Sequence, residues 1–473
     1  MTGDRSPLTD AEADALLAPL GRFRTLVLAV SGGADSSALM QLAHGWSRRR
    51  GTAAPSLVVA TVDHGLRRAS ADEARVVAQR AHTLGIEHRI LVWDGEKPST
   101  GVQAAARAAR RRLLAEMAIE LDRSGAGPVG VVTAHTADDQ AETLVMRLAR
   151  GSGVDGLAAI PSEGALDVVD LICGRVSIPV LRPLLGVQHA RLVATLEAAG
   201  IGFANDPSNQ DRRFERTRVR EALRVLEQLG LSGAALARTA ARMRSAQRAL
   251  DEAADALSAR ALTVVLGIVR EIDRDELRDA PRETAVRLLR RCLAATGGAA
   301  PRAELGAIED AMWRITSAGD ELTFTLGGCL VDIVRAGRGR AGVVRILREP
   351  DRDGGLPRLW LQPGASAVWD ARFGVLVRDG HPGLVEVGPL GPDWTHLTST
   401  YRVLAGLPVP GAAARGVPAF RVDGRLAAVP LLAEFAMAQG DRGAALALAG
   451  PCSGASGGDP VLDAHMRAIA LER

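Results

Sequence analysis

From residue 22 to about residue 160, short apolar runs alternate with longer segments whose apolar positions recur every three or four residues. The runs LVLAV (26–30), LVVATV (57–62), HRILVW (88–93) and VGVVTA (129–134) read as strands buried on both faces. Between them, residues 36–50, 70–85 and 102–123 are rich in Ala, Leu and Arg and long enough for helices. This βαβ alternation predicts a parallel sheet covered by helices. In such sheets ligands gather at the carboxyl ends of the strands. The conspicuous polar sequences stand there: SGGADSS after the first run, DHGLR after the second and AHTADDQ after the fourth.

Beyond residue 220 the pattern changes. REALRVLEQLG, GAALARTAARMRSAQRALDEAADALSARAL and ETAVRLLRRCLAATG are helical in period, and 322–349 reads as a hairpin-like return. REPDRDGG makes a linker, and 357–473 holds shorter strand-like pieces around Gly and Pro. The expected organisation is an α/β domain over 1–220, a mainly helical domain over 221–349, and a small α/β or mostly β domain over 350–473.

Composition adds three constraints. With 473 residues, 47% hydrophobic and 24% charged, the chain has the make-up of an ordinary globular protein of about three domains. No apolar run approaches a membrane span, and the acidic N-terminus lacks a signal-peptide pattern, so a cytoplasmic protein is expected. Cys173, Cys292, Cys329 and Cys452 are scattered without a C-x-x-C pair, which argues against zinc or iron–sulfur ligation and for buried thiols. Net charge is only +3, yet Lys97 is the one lysine among 58 basic residues. Any anion must therefore be met by arginine forks or backbone N–H groups.

SGGADSS is built for such an anion. Gly32 and Gly33 let the backbone turn sharply and approach a ligand closely. The N-terminus of the following helix offers unpaired N–H groups, and Ser31, Ser36 and Ser37 add hydroxyls. The lysine and spacing of the nucleoside-triphosphate loop G-x-x-x-x-G-K-[ST] are missing. A carboxylate facing phosphates repels them unless a divalent cation lies between, which makes Asp35 a candidate Mg²⁺ ligand. In AHTADDQ, His135 is suited to a phosphate contact or a proton transfer, and Asp138 or Asp139 to completing the metal site. Arg107 and Arg110 share one helix face, as do Arg147 and Arg150.

SGGADS resembles the signature of the PP-loop ATP pyrophosphatases, which split ATP between the α- and β-phosphates to adenylate a carbonyl oxygen. Further segments narrow the likeness to the tRNA(Ile)-lysidine synthetases. VDHGLR (62–67) resembles their V-D-H-x-L-R segment. GVQAAARAARRRLL (101–114) is similar to G-[LV]-[EQ]-A-x-A-R-x-x-R-Y, with Arg111 where an aromatic residue is usual. AHTADDQAET (134–143) resembles A-H-H-x-D-D-Q-x-E-T, with Thr136 in place of the second histidine. RLARGSGVDGLAAI (147–160), RPLL (182–185) and NDPSNQDRRFERTRVR (205–220) follow in order.

The resemblance implies ATP and Mg²⁺ as cofactors, with tRNA(Ile) bearing a CAU anticodon and free L-lysine as partners. No membrane and no obligate protein partner are expected. Nucleotide binding falls to Ser31, Gly32, Gly33, Ala34, Asp35, Ser36, Ser37, Asp63 and His64, and the metal to Asp35 and Asp138. Catalysis falls to Asp35, His135, Asp138, Asp139 and Arg107. Arg110, Glu142, Arg147, Arg150, Arg212, Arg216 and Arg220 are expected at the tRNA or lysine. Asp139 and Glu142 both remain open as the base that deprotonates lysine. A PP-loop tRNA thiolase is the nearest rival, but its chemistry relies on paired cysteines or a bound cluster. A non-catalytic RNA-binding protein is the rival of another class.

Overall fold

The computed structural model describes residues 5–65, 68–95, 97–98, 100–170, 174–204, 215–317, 322–334, 342–349, 355–378, 383–450 and 466–470. At 68–71, 167–170, 174–175 and 466–470 it describes the backbone alone. The chain divides into two compact units, residues 1–168 with 176–248, and residues 169–175 with 249–473.

The first unit opens with α1 (Asp10–Leu17), whose Thr9 and Glu12 form a reciprocal capping box. Then come β1 (Thr25–Ala29), α2 (Ala34–Arg50), β2 (Ser56–Asp63), α3 (Arg68–Thr83), β3 (Glu87–Val92), α4 (Val102–Leu121), β4 (Val129–Val132) and α5 (Ala137–Ala149). The turn α6 (Val154–Leu157), strands β5 (Glu163–Asp170) and β6 (Gly174–Leu181), and helices α7 (His189–Ala198) and α8 (Glu215–Gln228) follow. The six strands form one sheet in the order β3-β2-β1-β4-β6-β5. β1 runs parallel to both neighbours, with Val27 opposite Val58 on one side and Val131 on the other.

The runs of β1, β2 and β4 are largely buried, as their lack of alternation requires. HRILVW is not buried on both faces: β3 is the edge strand of the sheet and leaves Ile90 and Val92 exposed. Leu26 and Leu28 of β1 pack with Leu17, Leu39, Trp46, Val77, Leu192 and Leu196, so α1, α2, α3 and α7 share one face. Val27 points the other way, into a cluster with Val58, Val131, Leu114 and Met117, so α4 covers the opposite face. Two right-handed crossovers lead outward from β1 to β3, and the third returns across the other face to β4. The order therefore reverses between β1 and β4. There the loops after two adjacent strands leave a crevice at the carboxyl edge.

The division between units falls inside α9 (Gly233–Ala261). In the second unit, β7 (Leu262–Val265) and β8 (Val269–Asp273) form a hairpin ahead of α10 (Arg274–Asp279), α11 (Arg282–Thr296) and α12 (Leu305–Ser317). This pair interrupts a stretch whose period reads as helical. Its β-branched residues and the left-handed Leu266 and Gly267 (φ 52° and 68°) explain the turn. With β9 (Leu322–Leu326), β10 (Cys329–Val334) and β11 (Val343–Arg348), it builds a five-stranded sheet in the order β7-β8-β11-β10-β9.

Strands β12 (Leu359–Leu361), β13 (Ser366–Trp369), β14 (Phe373–Val377) and β15 (Val385–Pro389) come next, then α13 (Asp393–Thr400) and α14 (Gly411–Arg415). β16 (Pro418–Val422), β17 (Arg425–Ala428), α15 (Pro430–Ala438), α16 (Arg442–Ala449) and β18 (Met466–Ala470) close the chain. They form two small sheets, β12-β15-β16-β17 and β13-β14-β18.

One hydrophobic cluster runs from Ile268, Val269 and Leu347 to Trp369, Phe373, Phe420 and Leu432. The segment after residue 350 thus shares a core with the segment before it. At its heart Asp370, with a side chain 0% exposed, accepts hydrogen bonds from Arg348 (2.8 Å) and Arg372 (2.6 Å). Cys292 and Cys329 are buried free thiols, and burial pushes both up to about 12. Among the described residues no helix is long and apolar enough to cross a membrane.

Burial alone raises the Asp370 carboxyl, but the Arg348 hydrogen bond and the Arg372 charge outweigh it and hold the group below its ordinary value. Its folded value lies under its unfolded one, so the stability it contributes is present above about pH 4 and lost as pH falls through the folded value. Asp370→Ala leaves two guanidinium groups buried without their carboxylate and should cost about 3–5 kcal/mol, read as a lower urea midpoint of the second unit.

Candidate functional site

Residues 31–37 join β1 to α2. Gly32 has φ +89°, a conformation that only glycine adopts without strain, and a side chain there would press on Val77. Gly33 is the N-cap of α2 in extended conformation, and among the described residues no side chain caps the first-turn N–H groups. The serines stiffen the turn. Ser36 Oγ accepts from Ser31 N–H (3.2 Å) and donates to Gly33 O (3.1 Å), and Ser37 Oγ donates to Gly32 O (3.2 Å). Ser36 and Ser37 are buried, whereas Ser31 is exposed beside them and Asp35 is half-buried. Two of the three serines therefore hold the loop's shape, and the donors left for an anion are backbone N–H groups and Ser31.

The second polar sequence opens α5. Thr136 is its N-cap, and Asp139 closes a reciprocal box by accepting from Thr136 N–H at 2.9 Å. Asp139 therefore has one carboxylate oxygen committed to the helix start. Asp138, one position earlier, is exposed. Its Oδ2 accepts from the backbone N–H of His189 at 2.7 Å, and the ring Nδ1 of the same histidine meets Asp35 Oδ1 at 2.7 Å. One residue at the start of α7 thus draws together the carboxylates of the β1 and β4 loops. The Asp35 hydrogen bond raises the His189 pKa against the desolvation that lowers it.

His135 donates to or accepts from Thr133 Oγ1 at 2.9 Å. Desolvation pulls it down to about 4, with Asp139 opposing and Arg182, Arg216 and Arg107 assisting, so the ring is neutral at physiological pH. Gln140 is buried and makes two 2.8 Å hydrogen bonds to the backbone of Ile160, which pins the chain after α6 to α5. Glu142 is buried, with its Oε1 bonded by Arg220 Nε and its Oε2 buried without a partner among the described residues. Burial lifts its carboxyl above the ordinary value despite the pull of Arg220.

The arginines separate into two groups. Arg150 is ion-paired with Glu215, and Arg220 with Glu142, so both join α5 to α8. Arg107, by contrast, has its pKa lowered by desolvation and then by the charges of Arg216, Arg111 and Arg147. Arg110 reaches His64 Nε2 at 3.5 Å. The Nδ1 of His64 is buried without a hydrogen-bond partner among the described residues, and its ring stands edge-on to Trp93 at 6.0 Å. Asp63 accepts from Gly65 N–H (2.9 Å), the geometry of an Asx turn, so it shapes the loop after β2. Arg212 lies outside the described residues.

Asp35 and Asp138 are therefore brought together, and His135, Asp139, Arg107 and Arg216 share one electrostatic neighbourhood. Arg150 and Arg220 instead face carboxylates of the protein. Sequence reasoning misses His189, which lies 154 positions from Asp35 and carries no motif of its own. It also passes over Arg182, quoted within RPLL without a role. Among the described residues, no three His, Cys, Asp or Glu side chains gather into a ready-made metal cage. Asp35 and Asp138 do suit Mg²⁺, which keeps most of its waters and takes one or two carboxylates beside substrate phosphates.

The PP-loop domain family matches residues 8–227. A tRNA(Ile)-lysidine synthase of Bradyrhizobium sp. (strain BTAi1) is 41% identical over 353 residues, which covers 70% of this chain and 94% of that one. The tRNA(Ile)-lysidine synthase of Rhodopseudomonas palustris is 45% identical over 309 residues, 65% of this chain and 84% of its own. That of Ruegeria pomeroyi is 38% identical over 392 residues, 81% and 85% of the two chains. With the phosphate loop and the acidic helix start meeting at one crevice, and relatives matched over most of their length, the chain belongs to the tRNA(Ile)-lysidine synthase family.

Proposed function

We propose that this chain ligates free L-lysine to C2 of the wobble cytidine of tRNA(Ile) bearing a CAU anticodon, converting ATP to AMP and pyrophosphate in the cytoplasm. The observation that carries the reading is the meeting of Asp35 and Asp138 at His189, beside a lysine-free glycine loop. The loop N–H groups and Ser31 bind ATP phosphates. Asp35 and Asp138 would hold Mg²⁺, which when bound would offset the charge that builds on the phosphate oxygens.

The C2 oxygen of cytidine attacks the α-phosphorus and pyrophosphate leaves. The lysine ε-amine then adds to C2 and AMP departs, so a poor electrophile is converted into a good one before the amine arrives. His135, kept neutral, contacts a phosphate or moves a proton without adding charge. Of the two candidate bases, Glu142 is the stronger choice. Its free Oε2 and raised pKa suit proton uptake from the ammonium, whereas Asp139 has an oxygen tied to the helix cap. The thiolase reading lacks support, because no two cysteines are paired in sequence.

Pyrophosphate release from wild-type enzyme should require tRNA(Ile) transcript, and Asp35→Asn or Asp138→Asn should slow it by roughly 10²-fold or more with unchanged melting. Release that is indifferent to tRNA would contradict the reading. Glu142→Gln should leave pyrophosphate release largely intact while slowing lysine-dependent AMP release by about 10²-fold, so that adenylated tRNA accumulates. In the wild type the AMP-releasing step should weaken as pH falls through the raised Glu142 value, because the base must be ionised to act.

A further inference from the structure

Three arginines from three elements close on a single stretch of chain. Arg244 of α9 donates to the carbonyls of Ala158 and Ile160, Arg182 Nη1 donates to Pro161 O (2.9 Å), and Arg111 Nη2 of α4 donates to Ala165 O (3.0 Å). These bonds fix each guanidinium by one edge. The Nε of Arg182 is buried and has no hydrogen-bond partner among the described residues. Such a donor is costly to leave unmet, and no carboxylate of the site meets it. The charges acting on Arg182 are those of Arg111, Arg107 and Arg244, and with desolvation they bring it down to about 10. Arg216 and Arg147 join the same group through Arg107.

The group is distinct from the metal side of the crevice. His189 lies under the charges of Asp35, Asp138 and Arg220, whereas His135, beside Asp139, lies also under Arg182, Arg216 and Arg107. Cations within reach of one another's charge, two of them (Arg111 and Arg182) already tethered by one edge, need an anion, and several arginines around one place suit a polyanion better than a single carboxylate. We propose that Arg107, Arg111, Arg182 and Arg216 form a phosphodiester clamp that grips the RNA backbone beside the reacting nucleotide, separate from the loop that takes the ATP phosphates. This rests on the tRNA reading above. In single-stranded loops the backbone is held by such forks while the unstacked base is presented to the site.

The test uses the full-length enzyme with tRNA(Ile) transcript. Arg182→Gln and, independently, the exposed Arg216→Ala should each weaken tRNA affinity roughly tenfold and make the slope of log affinity against log salt shallower by about 0.7. The Kd for Mg·ATP and the KM for lysine should stay within twofold. Arg182→Lys should restore affinity only in part, since it keeps the charge and loses the fork. Arg216→Ala keeps the test decisive should Arg182→Gln fold poorly. A raised Kd for ATP with unchanged tRNA affinity would assign the arginines to the nucleotide and overturn the clamp. A raised lysine KM alone would assign them to the lysine carboxylate and overturn it equally, as would no change in any of the three. Failure of the tRNA reading itself would show first in the wild type, as the absence of tRNA-dependent pyrophosphate release.

Discussion

The site depends on the parallel pairing of β1 with β4. These strands are distant in sequence, and each is the last before a polar loop that opens a helix. Pairing Thr25 with Val129 and Leu28 with Val132 sets their carboxyl ends level. The glycine loop and the acidic start of α5 then emerge side by side, and His189 closes the gap between Asp35 and Asp138. Without that register the two carboxylates would have no common neighbour. The burial of β1 on both faces is what secures it, because a slip of one residue would turn Leu26 and Leu28 away from α2 and α7.

Around this frame the electrostatics divide the crevice. On one side stand the carboxylates and backbone N–H groups to which the proposed reaction assigns the cation and the phosphates. On the other, arginines stand against one another beside a neutral histidine. Glu142 and Arg220 lie between the two, joining α5 to α8 by a half-buried ion pair. A chain with one lysine meets its anions through forks, and forks carry geometry as well as charge. The division gives each ligand of the proposed reaction its own counter-charge, so ATP and RNA need not compete for the same groups.

Much of this was legible in the residues. The four apolar runs, the positive-φ glycine and the polar sequences at strand ends all follow from local rules, and the first four strands lie where their runs predict. What was not legible depends on contacts far apart in the chain. β5 and β6 are diluted by Asp167, Asp170 and Pro179, so neither run nor alternation marks them. The pairs Arg150–Glu215 and Arg220–Glu142 span 65 and 78 positions, and no helical spacing reveals them. His189 bears no motif, and the Asx turn that Asp63 makes with Gly65 is not announced by its place at the end of β2. Asp139 and Glu142 are alike in sequence, and only the capping box and the burial of Glu142 tell them apart.

The most direct test is of the product. Full-length enzyme, tRNA(Ile) transcript, Mg·ATP and isotopically labelled lysine would be incubated, and the tRNA digested to nucleosides for mass spectrometry. The account predicts one modified cytidine per tRNA that carries the whole lysine label at the first anticodon position, with AMP and pyrophosphate formed in equal amounts. A tRNA of unchanged mass, or a cytidine modified without the lysine label, would contradict it.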